Sequence, residues 1–399
     1  MSDSTSKKSF LFYKWLVMYT VSIIGTGYVA DFYMRSLQTF PEVKVLKAYD
    51  INQQRLKVFA DYWHVPTAAS LEELLNPSDT QERPMLILNL TNPHAHFTVS
   101  KSCLEAGYNV YSEKPLSIKM EDAFELHRIA AEKDLYLASA PCSYLSQVAQ
   151  TVWLAVREKL MGKPLLVYAE LDDDFISQAP YQKWISESGA PWPAEDEFKV
   201  GCTLEHAGYY LSWLMMIFGP IEKVIAASAE IIKDKLPNNQ RTAPDYSTAT
   251  LFFKCGLIAR ITCGIVAPHN HGLRIICEQG VIEVNESWNN AAVVKTRRRY
   301  VLHRKLINSL FTRKLKLSGP SHPMGPKKGN TKMNFALGPM ELLSAIKEQR
   351  PPRTSADFAL HLNEVTLAIQ NARDNTGVQI MKTSCPEQPP MPWAHALKP

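Results

Sequence analysis

Two glycines and an acidic residue have the spacing of a dinucleotide-binding turn. An apolar, β-branched run that ends at Ile24 is followed directly by GTGYVA at residues 25–30, and Asp50 lies 20 residues beyond Ala30. The first glycine would allow a tight turn, the second would let a pyrophosphate approach the backbone, and Ala30 would let the next helix pack closely. The free N–H groups at that helix N-terminus would face the phosphates. The predicted contacts in this turn are Gly25, Thr26, Gly27, Tyr28 and Val29.

Asp50 indicates which dinucleotide to expect. A carboxylate at this position accepts hydrogen bonds from the adenosine ribose hydroxyls and repels a 2′-phosphate, which favours NAD. Lys47 and Arg55 are close in sequence and could offset that repulsion. We therefore expect NAD, with NADP as the alternative and Arg55 as a further cofactor contact.

Lys114 is a candidate reacting group. It stands between Glu113 and Pro115, just after the short run Asn109 to Tyr111 that predicts a strand. A lysine held beside an acid and before a residue of fixed φ could hold a substrate hydroxyl and the nicotinamide ribose, or stabilise a developing alkoxide. The alternative is a solvated surface lysine, and the residues alone leave the two interpretations equal.

The elements that would position these residues change character along the chain. Apolar runs and helical stretches alternate from residue 16 to residue 138, which predicts a doubly wound parallel sheet, a Rossmann domain, over residues 1–141. Short strands at close spacing dominate residues 221–284. They predict a C-terminal α+β domain with a largely antiparallel sheet over residues 142–399.

Three further segments carry a family resemblance. They read LTNPHAH at 90–96, AGYNVYSEKPL at 106–116 and RPPRTSADFALH at 350–361. With the glycine turn, they resemble the Gfo/Idh/MocA oxidoreductases, named for glucose–fructose oxidoreductase and inositol dehydrogenase, over most of the chain. The resemblance implies a functional Lys114, a cis bond before Pro115, and a homodimer or homotetramer formed through the open face of the second sheet. The cofactor contacts it implies are Thr91, Asn92, His96, Glu113, Lys114 and Pro115.

The second half of the expected site departs from the family pattern. Where the family has an Asp and a His near the substrate, this chain has Glu205 and Tyr209, four residues apart and on one face of a helix. Three interpretations stay open. Tyr209 replaces the His in proton exchange, with its pKa lowered by Lys114, as in the family's dihydrodiol dehydrogenases. Alternatively, His206 shuttles the proton from another helix face, or the site has lost turnover and the protein is a sensor.

Composition excludes several other classes. The chain has 399 residues, of which 46% are hydrophobic and 21% charged, as in ordinary globular proteins. Its seven cysteines show no C-x-x-C spacing, which predicts reduced thiols in a cytoplasmic protein. The apolar run Phe10 to Ile24 is broken by Lys14 and is shorter than the ~20 residues a membrane span needs. No nucleic-acid-binding motif is present, so nucleic acid is not expected as a partner.

Positive charge is concentrated in a basic insert at residues 287–340. This stretch holds 12 Lys and Arg and no Asp or Glu, whereas the whole chain carries only +5. Apolar residues between Val301 and Leu317 fall near helical spacing, which predicts a basic amphipathic helix. Through residues 295–317 such a helix could contact an anionic membrane surface or phosphates. The alternative is a solvated insert whose apolar side packs on the protein.

The histidine pairs are weak signals for a metal. His94 and His96, like His269 and His271, are two residues apart, but no carboxylate or thiol completes either pair at a suggestive spacing. We therefore expect no metal, and we interpret residues 172–174, DDD, as a solvated turn.

The combined prediction is a NAD(P)-dependent oxidoreductase acting on a sugar, a sugar derivative or a nucleotide-linked sugar. Hydride would pass between the nicotinamide and a carbon that bears a hydroxyl or keto oxygen. Lys114 would orient and polarise that oxygen, Tyr209 would exchange its proton and Glu205 would position the group. The competing hypothesis is a non-catalytic dinucleotide-binding regulator of the same fold.

Overall fold

A computed structural model describes residues 19–324 and 332–398 of the 399-residue chain. The predicted apolar run from Phe10 therefore lies mostly outside the described residues. The first of two sheets is formed by β1 (Tyr19–Ile24), β2 (Val43–Tyr49), β3 (Leu86–Asn89), β4 (Val110–Ser112) and β5 (Leu137–Ser139). These strands are parallel and lie in the order β2-β1-β3-β4-β5. The predicted Rossmann sheet is confirmed.

The strand order places a crevice beside the glycine turn. From β1 the chain adds β2 on one side, and then crosses to add β3 on the other side, so the strand order changes direction between β1 and β3. Ligands of doubly wound sheets bind outside the carboxyl ends of the strands at such a point. The turn at residues 25–30 follows β1, and Thr91 follows β3. The helices of this half are α1 (Tyr28–Leu37), α2 (Gln53–Trp63), α3 (Leu71–Leu75), α4 (His96–Glu105) and α5 (Met120–Glu132).

The second sheet is mixed and mostly antiparallel, as predicted. Its strands are β6 (Pro164–Phe175), β7 (Ile221–Ala229), β8 (Tyr246–Phe253), β9 (Ile258–Gly264), β10 (Val266–Asn270), β11 (Leu273–Cys277), β12 (Gly280–Val284), β13 (Val294–Leu302), β14 (Lys305–Asn308), β15 (Arg313–Leu315) and β16 (Val378–Ile380). The central order is β12-β11-β6-β9-β8-β7, in which β6 and β9 are parallel. Burial alternates residue by residue along β8, so one face of the sheet is covered and the other is open.

Five further helices complete the described chain: α6 (Gln147–Arg157), α7 (Ala194–Val200), α8 (Gly208–Phe218), α9 (Leu337–Glu348) and α10 (Ala356–Gln370). A turn of π-helix at Thr203–Ala207 leads directly into α8. The last two helices return to the first half, since α9 packs on β3, β4 and β5, and α10 contacts both α5 and β7. The domain boundary at residue 141 stays a prediction. Short 3₁₀ turns occur at Thr80–Glu82, Ser143–Leu145, Ile176–Gln178, Tyr181–Lys183, Pro237–Asn239 and Asn371–Arg373.

The predicted basic amphipathic helix is wrong. Residues 294–315 form β13, β14 and β15, and β13 and β14 are joined as a hairpin with His303 at a φ of 52° in its turn. Tyr300, Val301 and Ile307 have high β propensity. The tight turn places apolar residues of the two strands opposite each other, so they pair across the hairpin although their spacing in the sequence resembles that of a helix. Most of the apolar side chains stay exposed, with Leu310 at 90% and Phe311 at 85%, whereas Leu315 and Leu317 are buried. Lys327 and Lys328 of the basic insert lie outside the described residues.

Among the described residues, none of the helices is both long enough and apolar enough to cross a membrane.

Candidate active site

The glycine turn has the geometry that a pyrophosphate needs. Gly25 has a φ of +93°, and a Cβ there would lie 2.6 Å from the backbone of Leu90 and Thr91. Only glycine fits that contact, which holds the turn against the end of β3. Gly27 precedes α1, and a Cβ there would meet nothing within 4 Å, so its backbone is open to a ligand. Tyr28 and Val29 begin α1, whose N-terminal N–H groups face this space.

Asp50 is fixed beside the turn. Its Oδ2 accepts hydrogen bonds from the Thr26 N–H at 2.7 Å and from the Thr26 hydroxyl at 2.9 Å. Its Oδ1 accepts from the Asn52 N–H at 2.8 Å. The carboxylate is thus held at the end of β2, where a dinucleotide ribose is expected, and the turn and Asp50 together fit a NAD-type cofactor.

Arg55 is committed to other contacts. Its Nε donates to the Thr26 carbonyl oxygen at 2.7 Å and its Nη1 to the Ser188 carbonyl oxygen at 2.9 Å, while Nη2 donates to the Ser188 hydroxyl. Ser188 also donates its N–H and its hydroxyl to Asp31, at 2.8 and 2.9 Å. The loop around Ser188 is therefore linked to the cofactor turn by hydrogen bonds, and no local sequence pattern indicates this link. A direct contact between Arg55 and the cofactor stays a prediction.

His96 joins the two motifs after β3 and β4. The ring is buried, with Nδ1 at 2.7 Å from the Pro115 carbonyl oxygen and Nε2 at 3.0 Å from the Thr91 carbonyl oxygen. Burial lowers the pKa of His96, although the contacts with the Pro115 and Thr91 carbonyls oppose that shift. Asn92 is exposed in the turn before α4, and its Oδ1 accepts the Ala95 N–H within that turn at 3.1 Å. The bond before Pro115 is cis, as the family resemblance implied.

Glu113 points into the protein. Its Oε1 accepts the Tyr33 hydroxyl at 2.6 Å, and its Oε2 accepts the Lys114 N–H at 3.0 Å. The side chain is buried, and burial raises the pKa of Glu113. Glu113 therefore links the backbone of Lys114 to Tyr33 on α1. A contact between Glu113 and the cofactor stays a prediction.

Lys114 and Glu205 meet across the two halves of the chain. The Lys114 ammonium forms an ion pair with the Glu205 carboxylate, and their side chains are only 19% and 11% exposed. Burial would lower the pKa of Lys114, but the negative charge of Glu205 and its neighbours outweighs burial and raises that pKa. Lys114 is therefore a permanently charged donor, suited to polarise an oxygen and unsuited to act as a base.

Tyr209 lies one turn beyond Glu205, at the start of α8. Its ring stands edge-on to Trp288, with the ring centroids 5.6 Å apart, and it lines a cavity of about 10 Å³ together with Glu113. We expected Lys114 to lower the pKa of Tyr209. Lys114 does oppose the shift, but burial is the larger effect and raises the pKa of Tyr209 above its usual value. Tyr209 is thus a protonated phenol, which suits a proton donor.

His206 faces acidic groups from other elements. Its Nε2 lies 3.4 Å from Glu197 Oε1 on α7, and its Nδ1 lies 3.7 Å from Asp173 Oδ2 on β6. Burial, reinforced by the charge of Lys114, lowers the pKa of His206 well below its usual value. His206 lies in the π-helical turn and Tyr209 in α8, so the helix is irregular between them, and both side chains contact Trp288. The proton-shuttle interpretation of His206 therefore stays open.

The triple aspartate is not a solvated turn. All three residues lie in β6, and the side chain of Asp173 is only 14% exposed. Burial raises the pKa of Asp173 to about 6, although His271 and His269 oppose that shift. No carboxylate lies near His269 and His271 in the sequence, but in the folded protein Asp173 lies next to both rings. Sequence spacing could not show this, since β6 and β10 are joined only by sheet pairing.

Comparisons with known proteins agree with a NAD-binding first half and with the fold of the second half. The family model described as "Oxidoreductase family, NAD-binding Rossmann fold" matches residues 19–140, and the model of the "GFO/IDH/MocA C-terminal domain" matches residues 149–283. An uncharacterized oxidoreductase of Synechocystis is 26% identical over 65% of this chain and 70% of its own length. Trans-1,2-dihydrobenzene-1,2-diol dehydrogenase of Xenopus laevis is 25% identical over 49% of this chain and 56% of its own length.

Solved structures share the fold at lower identity. The WlbA dehydrogenase of Bordetella pertussis, solved with NADH and UDP-GlcNAcA, has a TM-score of 0.66 and 17% identity over 90% of this chain and 98% of that chain. Aldose-aldose oxidoreductase of Caulobacter crescentus has a TM-score of 0.69 and 14% identity over 91% and 99%. The NAD-binding half, the second sheet and the two matching family models together show that this chain is an enzyme of the Gfo/Idh/MocA family of NAD(P)-binding oxidoreductases.

Proposed function

We propose that this oxidoreductase transfers a hydride between the nicotinamide and a carbon bearing a hydroxyl or keto oxygen in a sugar, a sugar derivative or a nucleotide-linked sugar. The observation that carries the proposal is the buried ion pair of Lys114 and Glu205 beside the protonated Tyr209. A fixed positive charge and a proton donor at the cofactor crevice are what reduction of a carbonyl requires. The nicotinamide, when bound, supplies or accepts the hydride.

The three side chains have separate roles in this proposal. Lys114 donates a hydrogen bond to the substrate oxygen and stabilises negative charge as it develops there. Tyr209 gives its hydroxyl proton to that oxygen as the carbonyl becomes an alcohol, and solvent returns a proton to the phenolate. Glu205 holds the ammonium of Lys114 in place. In the oxidation direction each proton step is reversed, and Tyr209 must first lose its proton.

The substrate class rests on named relatives. A UDP-N-acetylglucosamine 3-dehydrogenase of Acidithiobacillus ferrooxidans has a TM-score of 0.66, and a scyllo-inositol 2-dehydrogenase (NADP(+)) of Bacillus subtilis is 23% identical over 52% of this chain. These names favour sugars and polyols as substrates and favour an enzyme over a regulator. They leave both NAD and NADP as candidate cofactors, and Asp50 favours NAD.

The open face of the second sheet supports a homodimer or homotetramer. Ile258 on β9 is 38% exposed and lies beside Leu166 on β6, and two pairs further along Arg260 stacks on Tyr168 and forms an ion pair with Glu170. This mixed apolar and charged face fits burial against another copy of the chain. Light scattering of the purified protein tests the assembly, and a monomer at micromolar concentration would exclude it. The seven free cysteines support the further proposal of a cytoplasmic location.

Cofactor titration followed by a substrate panel tests the main proposal. Energy transfer from tryptophan to bound NADH or NADPH would report binding, and keto-sugars, nucleotide-linked keto-sugars and inosones would then be added. We expect NADH to bind more tightly than NADPH and its signal to be lost with at least one member of the panel. Binding without turnover on the whole panel would contradict the proposed substrate class, and absence of binding would contradict the cofactor site.

A further inference from the structure

His269 and His271 are arranged as ligands around Asp173. His269 lies in β10 and His271 directly follows that strand, and their ring centroids are 4.1 Å apart. His269 Nδ1 lies 3.6 Å and His271 Nε2 lies 3.7 Å from the same oxygen, Asp173 Oδ1. Both distances exceed a hydrogen bond. The three candidate ligand atoms lie within 4.8 Å of one another.

Glu286 holds both rings from the opposite side. Its Oε1 is 2.9 Å from His271 Nδ1, and its Oε2 is 3.2 Å from His269 Nε2. The Trp288 N–H also donates to Glu286 Oε1, at 2.8 Å. An ionised carboxylate only accepts hydrogen bonds, so both rings donate toward Glu286. A carboxylate that orients a histidine in this way is the usual outer partner of a metal ligand.

The opposite ring nitrogens, His271 Nε2 and His269 Nδ1, face Asp173 at distances longer than a hydrogen bond. When both rings are neutral and donate to Glu286, His271 Nε2 and His269 Nδ1 each carry a lone pair, and both lone pairs face Asp173 Oδ1. His271 is 1% exposed, and its Nε2 is buried without a hydrogen-bond partner among the described residues. A buried acceptor left unpaired destabilises the folded state. Three acceptor atoms that converge in this way are what a cation satisfies.

We propose that Asp173, His269 and His271 bind a divalent first-row transition metal ion of the Zn²⁺ class. Two imidazole nitrogens and one carboxylate oxygen suit such an ion, and tetrahedral ligands at Zn²⁺ lie about 3.4 Å apart, close to the observed separations. Three protein ligands leave a fourth position for water or a substrate oxygen. The proposal does not depend on the proposed function.

The surroundings of Asp173 fit a cation better than a shared proton. A proton on Asp173 could satisfy only one of the two rings, and a hydrogen bond at 3.6 or 3.7 Å would be too long. His206 Nδ1, which is also buried without a hydrogen-bond partner among the described residues, lies 3.7 Å from Asp173 Oδ2. Imidazole nitrogens thus face both oxygens of this carboxylate.

Metal titration of the whole chain tests the proposal. Untagged protein would be stripped with a chelator, dialysed and titrated with Zn²⁺ by calorimetry and with Co²⁺ by visible absorption. We expect one ion per chain, a Co²⁺ d–d band typical of few-coordinate nitrogen and oxygen ligands, and a higher melting temperature with Zn²⁺.

Two variants locate the ion and one serves as a control. His269→Ala removes a ligand whose side chain is 41% exposed, so the chelated variant should keep the melting temperature of the chelated parent. It should bind Zn²⁺ on the order of 100-fold more weakly, and Glu286→Gln, which only disturbs ring orientation, about 10- to 100-fold more weakly. His395→Ala, at an exposed histidine outside the cluster, should bind like the parent. Absence of stoichiometric binding, or equal binding by all three variants, would overturn the proposal.

Discussion

The two sides of the candidate active site are built on different principles. The cofactor side is made mostly of backbone, since Gly25 touches the backbone after β3 and Gly27 leaves the start of α1 open. The substrate side is made of buried charged side chains, of which the Lys114 and Glu205 pair is one. The geometry of the glycine turn depends on local backbone conformation, whereas the state of Lys114 depends on Glu205, which is distant in the sequence. Substitutions should therefore separate binding on the first side from chemistry on the second.

Lys114→Met should give the largest difference between the loss of activity and the loss of cofactor binding. Removing the ammonium removes the charge that polarises the substrate oxygen, so kcat/KM should fall by on the order of 10² to 10⁴. NADH affinity should change little, because the glycine turn and Asp50 are untouched. Steady-state kinetics and fluorescence titration measure the two effects. Lys119→Met, at an exposed lysine before α5, is the matched control and should leave both unchanged.

Folding must be distinguished from chemistry in this variant. Lys114→Met leaves the Glu205 carboxylate buried without its cation, which costs about 3–5 kcal/mol for a buried pair. The double variant Lys114→Met/Glu205→Gln should recover stability and remain inactive. Recovery of activity together with stability would show that Lys114 is only structural.

Tyr209→Phe should have the next largest effect. The ring keeps its contact with Trp288, so the fold should be retained, while loss of the proton donor should reduce kcat by about 10²-fold or more. Tyr210→Phe is the matched control, since it removes a buried hydroxyl that donates to the His271 carbonyl oxygen. That control should lower the unfolding free energy by about 1 kcal/mol and keep turnover.

The alternative donor is tested in the same assay. If Tyr209→Phe keeps its activity and His206→Gln loses it, His206 is the proton shuttle and the assignment of Tyr209 is wrong.

On the cofactor side, Gly27→Ala should weaken NADH binding by about 10-fold or more, because a methyl group would occupy the approach of the pyrophosphate. Its fold should be unchanged, since a Cβ there meets nothing within 4 Å. Gly25→Ala provides the contrast: its Cβ would lie 2.6 Å from the Leu90 backbone at a φ of +93°, so it should lose stability as well as binding. Melting curves with and without NADH measure both. Equal melting temperatures for the two variants would contradict the geometry.

The same contrast explains what the sequence could predict. The parallel sheet and the glycine turn follow from local patterns, the cis bond before Pro115 was implied by the family resemblance, and the structure agrees with each. The cluster of Asp173, His269 and His271 does not follow from local patterns, because Asp173 on β6 meets β10 and the residue after it only through sheet pairing. The hairpin of β13 and β14 was mistaken for a helix because apolar residues in two short strands can imitate helical spacing.

The pKa of Tyr209 reflects the same dependence on tertiary structure. Proximity to Lys114 alone predicts a lowered pKa, but the degree of burial cannot be read from the sequence, and burial is the larger effect.

The smallest expected effect is in the pH dependence of carbonyl reduction. Reduction needs Tyr209 protonated and Lys114 charged, and the pKa of each is raised, so neither group should change state between pH 6 and pH 9. Over that range log kcat for reduction should therefore be nearly flat, whereas a phenol pKa lowered by Lys114 would make the rate fall as pH rises toward 9. In the oxidation direction the sign reverses, since Tyr209 must be deprotonated, and the rate should rise with pH up to the highest pH at which the fold persists. A basic limb below pH 9 in reduction that disappears in Tyr209→Phe would show that Lys114, rather than burial, sets the proton affinity of Tyr209.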